Sequence, residues 1–141
     1  FDVIDMPYGK QVLWPAHCVA GSKGAAFAKK LNAVEADLIL RKGTCAGRDS
    51  YSAFLEADRQ TRTGLAGWLT ERGIRKVVIC GLAADYCVSW TALDAVAAGF
   101  EVYVVTDGIR AIAPSSYEDA QTAWRSAGIR LTSAEELFSA V

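Results

Sequence analysis

The chain has 141 residues, which is the length of one domain. Its 15 Lys and Arg against 16 Asp and Glu leave a formal charge of -1, which excludes the basic footprint of nucleic-acid binding and a polybasic lipid-binding surface. Hydrophobic residues make up 52% of the chain, enough for a core, and the apolar runs fall far short of the roughly 20 residues that span a bilayer. These values predict a soluble domain with neither a membrane nor a nucleic-acid partner.

The cysteines indicate a reducing compartment. Cys18, Cys45, Cys80 and Cys87 are too sparse for a disulfide scaffold, and no two of them form a Cys-x-x-Cys pair. Reduced thiols and a cytoplasmic location are therefore expected.

The first 24 residues differ from the rest of the chain. The chain starts with Phe1 rather than Met and shows no signal-peptide pattern, so we expect it to be the later part of a longer protein. Residues 1–24 carry Pro and Gly at close intervals, and we expect an irregular segment with at most one helix. A long ordered loop in a compact domain usually has a function.

Strands and helices alternate from about residue 37. We expect strands over 38–40, 77–80, 100–106 and 129–131, and helices over 64–72, 86–98 and 117–127. Residues 77–80 are apolar at every position, typical of a parallel strand covered on both faces, which places Cys80 in the core. Ser133 and Glu136 predict a capping box on a last helix. The alternation predicts an α/β fold, a mainly parallel doubly wound sheet between helix layers.

The strand, turn and helix start over residues 80–87 could hold a nucleophile. If Asp85 caps the helix, Cys87 lies in its first turn, where free N–H groups and the helix dipole favour a thiolate. The same turn could aim backbone N–H groups at a developing oxyanion. Alternatively, Cys87 is a small buried residue without a chemical role, the commoner fate of a cysteine.

Three further residues are candidates for the same edge of the sheet. Lys42 follows the strand expected at 38–40 and could stabilise a thiolate on Cys87, although a lysine at a strand end is usually solvated. His17 is the single histidine, and because metal sites take three or four ligands, spacing alone favours a structural role. Trp14, in the same segment as His17, could wall a pocket for a flat substrate.

Four segments together resemble the nicotinamidase/pyrazinamidase group of the isochorismatase-like cysteine hydrolases. In chain order they are Trp14-Pro15-x-His17-Cys18-Val19-x-Gly21, Lys42-Gly43, Asp49-Ser50-Tyr51-Ser52-Ala53-Phe54 and Gly81-Leu82-Ala83-x-Asp85-Tyr86-Cys87-Val88. The resemblance extends over nearly the whole chain. It implies a single isochorismatase-like hydrolase domain over residues 1–141, with the three-layer α-β-α fold.

The resemblance implies a catalytic role for each matching residue. Cys87 would attack a carboxamide carbon and form a thioester, while Lys42 would stabilise the thiolate and the intermediate. The N–H groups of Ala83 and Cys87 would form the oxyanion hole, after a cis peptide between Leu82 and Ala83. The implied reaction converts nicotinamide, with pyrazinamide as an analogue, to the acid and ammonia.

The resemblance also implies a ring pocket and a metal. Trp14, Tyr51 and Leu82 would line the pocket. His17 would be one ligand of a divalent ion, zinc first with iron or manganese as alternatives, that binds the pyridine nitrogen and orients the ring. Asp49 would face this metal as a water-bridged acid. Members of the family often form homo-oligomers.

Two patterns of the family do not occur in this sequence. They are the general-base aspartate of Asp-x-Gln-x-Asp-Phe on the first strand, and the metal ligands of Asp-x-His-x-x-x-x-x-His. The resemblance places both before Phe1, so the domain would be N-terminally incomplete and the first strand missing. Because that strand is central, we expect an N-terminal fragment to complete the sheet and the site.

Two alternative functions remain from the sequence. One is a related amidohydrolase acting on another small carboxamide or carbamoyl compound. The other is a truncated domain without catalysis, in which Cys87 would react with iodoacetamide no faster than Cys80.

Overall fold

The computed structural model describes residues 2–139, which leaves Phe1 and the last two residues outside the description. In order, the strands and α-helices of this range are β1 (Val3–Met6), β2 (Gly9–Val12), α1 (Leu65–Glu71), β3 (Lys76–Leu82), α2 (Ser89–Ala97), β4 (Glu101–Arg110), α3 (Pro114–Ser126), β5 (Arg130–Thr132) and α4 (Ala134–Ser139). Two short 3-10 helices and one π-helical turn complete them, at Lys23–Ala25, Ala33–Glu35 and Ala84–Val88. None of the helices described is long and apolar enough to cross a membrane.

The central sheet is parallel, with the strand order β3-β4-β5. Helix α2 connects β3 to β4 and helix α3 connects β4 to β5, so the chain makes two successive βαβ units. The strands predicted over 77–80, 100–106 and 129–131 and the three predicted helices are confirmed. This parallel sheet with flanking helices fits the predicted three-layer α/β architecture.

The core lies between the sheet and its helices. Val102 and Val104 of β4 meet Ala92 and Ala95 of α2, and Trp124 of α3 is fully buried in the same cluster. These small side chains on α2 allow the helix to lie close to the strand, and burial of this apolar surface stabilises the fold. The core therefore supports the carboxyl edge of β3, from which the chain enters α2.

The face of β3 away from this core is exposed. Val77 and Ile79 pack against the cluster, whereas Val78 is 41% exposed and Cys80 is also exposed. Because side chains alternate across a strand, helices that cover one face leave every second residue on the other. The prediction that Cys80 lies in the core is therefore wrong, since an all-apolar run does not show how many faces are covered.

The segment 38–40 is not a strand in this structure. A strand needs a hydrogen-bonded neighbour, and none of the strands described in residues 2–139 pairs with it. Leu38 and Ile39 are both exposed accordingly. Lys42 thus follows an extended loop, and the strand predicted there is wrong.

The N-terminal segment contains a β-hairpin instead of irregular structure. Strands β1 and β2 pair antiparallel in a register from Val3 opposite Val12 to Met6 opposite Gly9. The two-residue turn at 7–8 leads into Gly9, whose φ of +130° favours glycine. The prediction of an irregular segment is wrong for residues 3–12, because Pro and Gly here mark a turn between two paired strands. The limit of one helix holds for the described part of this segment, where the 3-10 helix at Lys23–Ala25 is the single helical element.

The predicted capping box on the last helix is confirmed. The Ser133 N–H donates to the Glu136 carboxylate (2.9 Å), and the Glu136 N–H donates to the Ser133 hydroxyl (3.1 Å). Both bonds satisfy N–H groups that the first turn of a helix leaves free. Helix α4 therefore begins where the sequence predicts.

Candidate active site

Cys87 lies where β3 turns into α2, at the carboxyl edge of the parallel sheet. The peptide between Leu82 and Ala83 is cis, as expected. The Ala83 carbonyl then accepts hydrogen bonds from the N–H groups of Tyr86 (3.1 Å) and Val88 (3.0 Å), which close the π-helical turn. This turn holds Cys87 half-buried at the edge where open α/β sheets bind ligands.

Asp85 joins this turn to the start of α3 and does not cap its own helix. Its buried carboxylate accepts hydrogen bonds from the N–H groups of Ile112 (3.0 Å) and Ala113 (3.2 Å) and from the Ser116 hydroxyl. Burial would raise the pKa of Asp85, but these donors outweigh it and hold the pKa below its usual value. The predicted cap is therefore wrong, because the carboxylate faces the neighbouring β4–α3 junction.

Lys42 lies beside Cys87. Its Nζ is 3.5 Å from the Cys87 Sγ and also donates a hydrogen bond to the Ser50 carbonyl. The carbonyl holds the ammonium in place, and a cation at this distance stabilises a thiolate relative to a thiol. The structure thus brings together two residues that are 45 positions apart in the sequence.

Four aromatic rings contact one another in a row that includes Tyr86, the residue before Cys87, and we call Trp14, Tyr51, Tyr86 and Trp90 the aromatic wall. The Trp14 ring meets Tyr86 edge-on at 4.8 Å between centroids. Tyr51 lies 5.9 Å from Tyr86 and 5.7 Å from Trp90. Two of the three predicted pocket residues, Trp14 and Tyr51, belong to this wall, and Tyr86 directly precedes Cys87. Leu82, 71% exposed, lies at the open edge of the sheet above the cis peptide.

A hydrogen-bond network fixes the polar end of Tyr51. Its phenol oxygen accepts from the Trp14 indole N–H (2.9 Å) and from the Gln11 amide (2.9 Å). The same amide nitrogen donates to the Asp49 carboxylate. Burial raises the pKa of Tyr51, the two donors lower it less, and the Asp49 charge raises it further. Tyr51 is therefore a neutral phenol that forms part of the wall.

Gln11 is the main site residue that sequence reasoning missed. It is buried on β2 and links the hairpin to Asp49 and Tyr51, while its carbonyl accepts a hydrogen bond from Tyr8 (3.3 Å). Tyr8 in turn accepts a hydrogen bond from the Asp49 N–H (3.1 Å). The turn at 7–8 is the sequence signal that could have revealed both residues, because a hairpin there directs Gln11 to one face.

His17 lines a cavity of about 360 Å³, whose lining also includes Trp14, Gln11 and Asp49. Its Nδ1 is 2.7 Å from the Pro15 carbonyl. A carbonyl only accepts hydrogen bonds, so Nδ1 donates and Nε2 is the nitrogen left to bind a metal, the usual arrangement of a metal-ligating histidine.

His17 fits the role of one ligand, and the described residues do not form a complete metal site. Within residues 2–139, no group of three His, Cys, Asp or Glu side chains is close enough to hold a metal ion. Asp49 lines the same cavity as His17, where the resemblance expects a water-bridged acid.

Curated relatives cover most of this chain. The nicotinamidase of Acinetobacter baylyi is 56% identical over 112 residues, which are 79% of this chain and 52% of that protein. The nicotinamidase of Escherichia coli is 41% identical over 102 residues, which are 72% of this chain and 48% of that protein. The chain thus spans about half the length of the curated relatives it matches.

Solved structures match the fold. A nicotinamidase and pyrazinamidase from Acinetobacter baumanii gives a TM-score of 0.93 at 47% identity and covers 97% of this chain and 67% of that one. A protein from L. infantum in complex with nicotinate gives 0.84 at 38% identity, over 87% of this chain and 62% of that one. The pyrazinamidase of Pyrococcus horikoshii in complex with zinc gives 0.74 at 37% identity, over 86% and 63%. The isochorismatase domain model matches residues 4–136, and the chain therefore belongs to the isochorismatase domain family.

Proposed function

We propose that the protein is a cysteine amidohydrolase that converts nicotinamide, and pyrazinamide as an analogue, to the acid and ammonia. The observation that carries the proposal is the Lys42 Nζ 3.5 Å from the Cys87 Sγ, beside the aromatic wall. A cation-paired thiol next to a surface for a flat ring suits attack on an aromatic carboxamide. The nicotinamidases among the relatives support this choice of substrate.

In the proposed reaction the Cys87 thiolate attacks the carboxamide carbon. A C–S bond forms and the C=O electron pair moves to oxygen, where the N–H groups of Ala83 and Cys87 donate hydrogen bonds. The intermediate collapses, the C–N bond breaks, and the departing nitrogen takes a proton to leave as ammonia. Water then attacks the thioester, which releases the acid and restores the thiolate. Lys42 stabilises the negative charge in both steps.

The proton transfers need a general acid and base. The resemblance maps the aspartate of the family onto none of the described residues. We therefore assign this role to a carboxylate from outside them, which takes a proton from the attacking water and gives one to the leaving nitrogen.

The aromatic wall would position the substrate ring by its faces and edges. The Tyr51 hydroxyl already accepts two hydrogen bonds, from Trp14 and Gln11, so Tyr51 contributes surface instead of a polar contact. Aromatic side chains favour edge-on and offset contacts with a flat ring. Leu82 would close the pocket at its exposed rim.

We assign one ligand position of a divalent metal to His17 Nε2, with Asp49 nearby as a water-bridged acid. When bound, the metal would orient the ring through its pyridine nitrogen. The zinc complex of the Pyrococcus horikoshii protein supports zinc, with iron and manganese as alternatives. The remaining ligands would come from residues outside those described.

We further propose that another polypeptide segment pairs with β3. Among the described strands β3 lies at the edge of the sheet, and its exposed face carries Val78 and Cys80. Such an edge is a template for pairing. We favour an N-terminal fragment over a second copy of the chain. Native mass spectrometry separates them, because a homo-oligomer has a mass in multiples of 15.1 kDa and a complex with a fragment does not. A folded monomer alone would contradict both.

The first test is ammonia release from nicotinamide by the metal-supplied protein, with Cys87→Ala and the matched control Cys80→Ala. Cys80 is an exposed cysteine of β3, so its removal should leave the rate unchanged. Activity lost only with Cys87→Ala supports the proposal.

Inactivity of the folded, metal-supplied protein, tested together with the polypeptide segment proposed to complete it, would overturn the choice of substrate. Iodoacetamide then separates the two alternatives. Preferential alkylation of Cys87 over Cys80 would favour another small carboxamide or carbamoyl substrate. Equal alkylation would favour a domain without catalysis.

A further inference from the structure

A row of side chains runs from the aromatic wall to a buried carboxylate. Trp90 lies against Tyr51, with 5.7 Å between ring centroids and 36° between planes. The Arg59 guanidinium carbon lies 5.2 Å from the centroid of Trp90. Arg59 also donates one hydrogen bond to each oxygen of Asp94, at 2.9 and 2.6 Å. The groups that follow one another behind Tyr51 are thus the ring of Trp90, the Arg59 guanidinium and the Asp94 carboxylate.

This row is built so that the guanidinium has one position. Trp90 and Asp94 are four residues apart on α2 and therefore share a face of the helix. Asp94 is only 5% exposed and anchors the two-pronged contact at the base of that face. Arg59 adopts a left-handed backbone with a φ of +60°, which a residue with a side chain rarely does. The chain accepts this backbone where it brings the guanidinium over Trp90.

Other hydrogen bonds also hold the chain on either side of Arg59. The Ala53 N–H donates to the Thr91 hydroxyl of α2 (3.0 Å), and the Ala53 carbonyl accepts from the Thr63 hydroxyl (2.6 Å). The first bond fastens the segment before Arg59 to α2, and the second joins Thr63, after Arg59, back to Ala53. Trp90, in contrast, is 38% exposed and needs a contact on its outer side to hold one orientation. The Arg59 guanidinium supplies such a contact, 5.2 Å from the centroid of Trp90.

We propose that Arg59 and Asp94 are positioning residues for the substrate pocket, acting on Tyr51 through Trp90. The two-pronged pair holds the guanidinium against Trp90, and Trp90 supports the ring of Tyr51. The inference deepens the proposed function and rests on it for its effect on catalysis. If Tyr51 loses this support, the substrate ring binds more weakly. Because the loss is equal in the ground and transition states, KM rises while kcat is unchanged.

The test compares Arg59→Met with Arg72→Met, which removes a matching contact far from the nucleophile. The Arg72 guanidinium carbon lies 4.0 Å from the centroid of Trp68 at the end of α1. We expect Arg59→Met to raise the KM for nicotinamide about three- to fivefold with kcat within about twofold, and Arg72→Met to change neither. Equal KM values for the two variants would overturn the inference.

Two further variants guard against loss of folding. Arg59→Met leaves the buried Asp94 charge without its partner, so the double variant Arg59→Met/Asp94→Asn removes both charges together. It should show the same rise in KM. Arg59→Lys keeps the charge but cannot form the two-pronged contact or stack flat on Trp90, so it should restore stability and not KM. Full restoration of KM by lysine would contradict the proposed geometry.

A second measurement does not depend on turnover. Burial raises the pKa of Tyr51 above the usual 10.0, so a loosened wall should let water in and move this pKa back down. Spectrophotometric titration, with Tyr51→Phe in each background to isolate its signal, should show the change for Arg59→Met/Asp94→Asn and not for Arg72→Met. An unchanged Tyr51 titration overturns the inference. If the unaltered protein does not hydrolyse nicotinamide, the proposed function fails, and this titration still decides the role of Arg59.

Discussion

The two sides of the candidate site are held by different kinds of contact. The side that carries Cys87 rests on the core, with Asp85 buried beneath it and backbone hydrogen bonds closing the turn. The side that carries His17 is exposed and joins the rest through the side chains of Gln11, Tyr51 and Asp49. The comparison teaches that the side of Cys87 is placed by the fold, whereas the side of His17 is placed by a polar network.

The largest effect on activity is expected from removing the positive charge of Lys42 beside Cys87. Lys42→Met should lower kcat by about 10²- to 10³-fold, the scale of removing one electrostatic contact to the reacting centre. Steady-state hydrolysis of nicotinamide measures it. Lys10→Met serves as control, because Lys10 is an exposed residue of β2 whose ammonium pairs with exposed Asp5. A Lys42→Met enzyme with normal kcat would show that the 3.5 Å contact has no catalytic role.

The second effect concerns the stability of the side that carries Cys87. Asp85→Asn should lower the free energy of unfolding by about 2 kcal/mol, because an amide cannot accept from three donors as a carboxylate does. Urea unfolding at neutral pH measures the loss. A variant as stable as the unaltered protein would contradict the proposed link between the β3–α2 and β4–α3 junctions.

The dependence of stability on pH also tests the role of Asp85. The pKa of Asp85 is lower in the folded protein than the usual 3.8. As the pH falls, the unfolded state therefore takes up a proton before the folded state does. The contribution of Asp85 to stability is therefore fully present above about pH 4 and is lost as pH falls through the lower folded pKa. Unfolding curves for Asp85→Asn should lack this loss, and parallel curves for the two proteins would refute it.

On the side that carries His17, breaking the polar network should weaken substrate binding. Gln11→Ala removes the donor shared by Tyr51 and Asp49, and we expect KM for nicotinamide to rise about fivefold, the equivalent of one hydrogen bond. The matched control is Gln60→Ala, since Gln60 is exposed in the loop after Asp58. Equal KM values for the two glutamine variants would show that the hairpin is not coupled to the pocket.

The smallest effect is expected far from both sides. Ser133→Ala removes one bond of the capping box and should reduce stability by about 0.5–1 kcal/mol, with kcat and KM unchanged. Thermal unfolding and steady-state kinetics measure the two effects. Any change in KM would mean that α4 is coupled to the site in a way that its contacts do not indicate.

The sequence predicts the second half of the chain well for a physical reason. The helices that contain Trp68, Trp90 and Trp124 have clear periodicity, and the strands between them pair with neighbours inside the chain. Residues 38–40 have the composition of a strand but no described strand to pair with, so composition alone misleads there. Strand formation is a property of two segments, and one segment's composition reports only half of it.

The residues proposed to take part in the reaction are easier to predict from the sequence than the residues that hold them in place. Cys87, Lys42, Trp14 and Tyr51 belong to the segments that resemble the family. The structure brings Lys42 to Cys87 and Trp14 to Tyr51. The support from Gln11 depends on a hairpin register that no single residue specifies. The partners of Asp85 lie in a different βα junction, so its local helix position indicated a cap that the structure does not form.

The placement of the tryptophans has a spectroscopic consequence. Of the four in the chain, Trp14 and Trp90 belong to the aromatic wall, Trp124 is fully buried in the core, and Trp68 lies on α1. A flat ring that enters the pocket would alter the emission of the first two and leave the last two as an internal reference. Intrinsic fluorescence, compared between Trp14→Phe and Trp68→Phe, therefore offers a label-free record of ligand entry on a millisecond timescale.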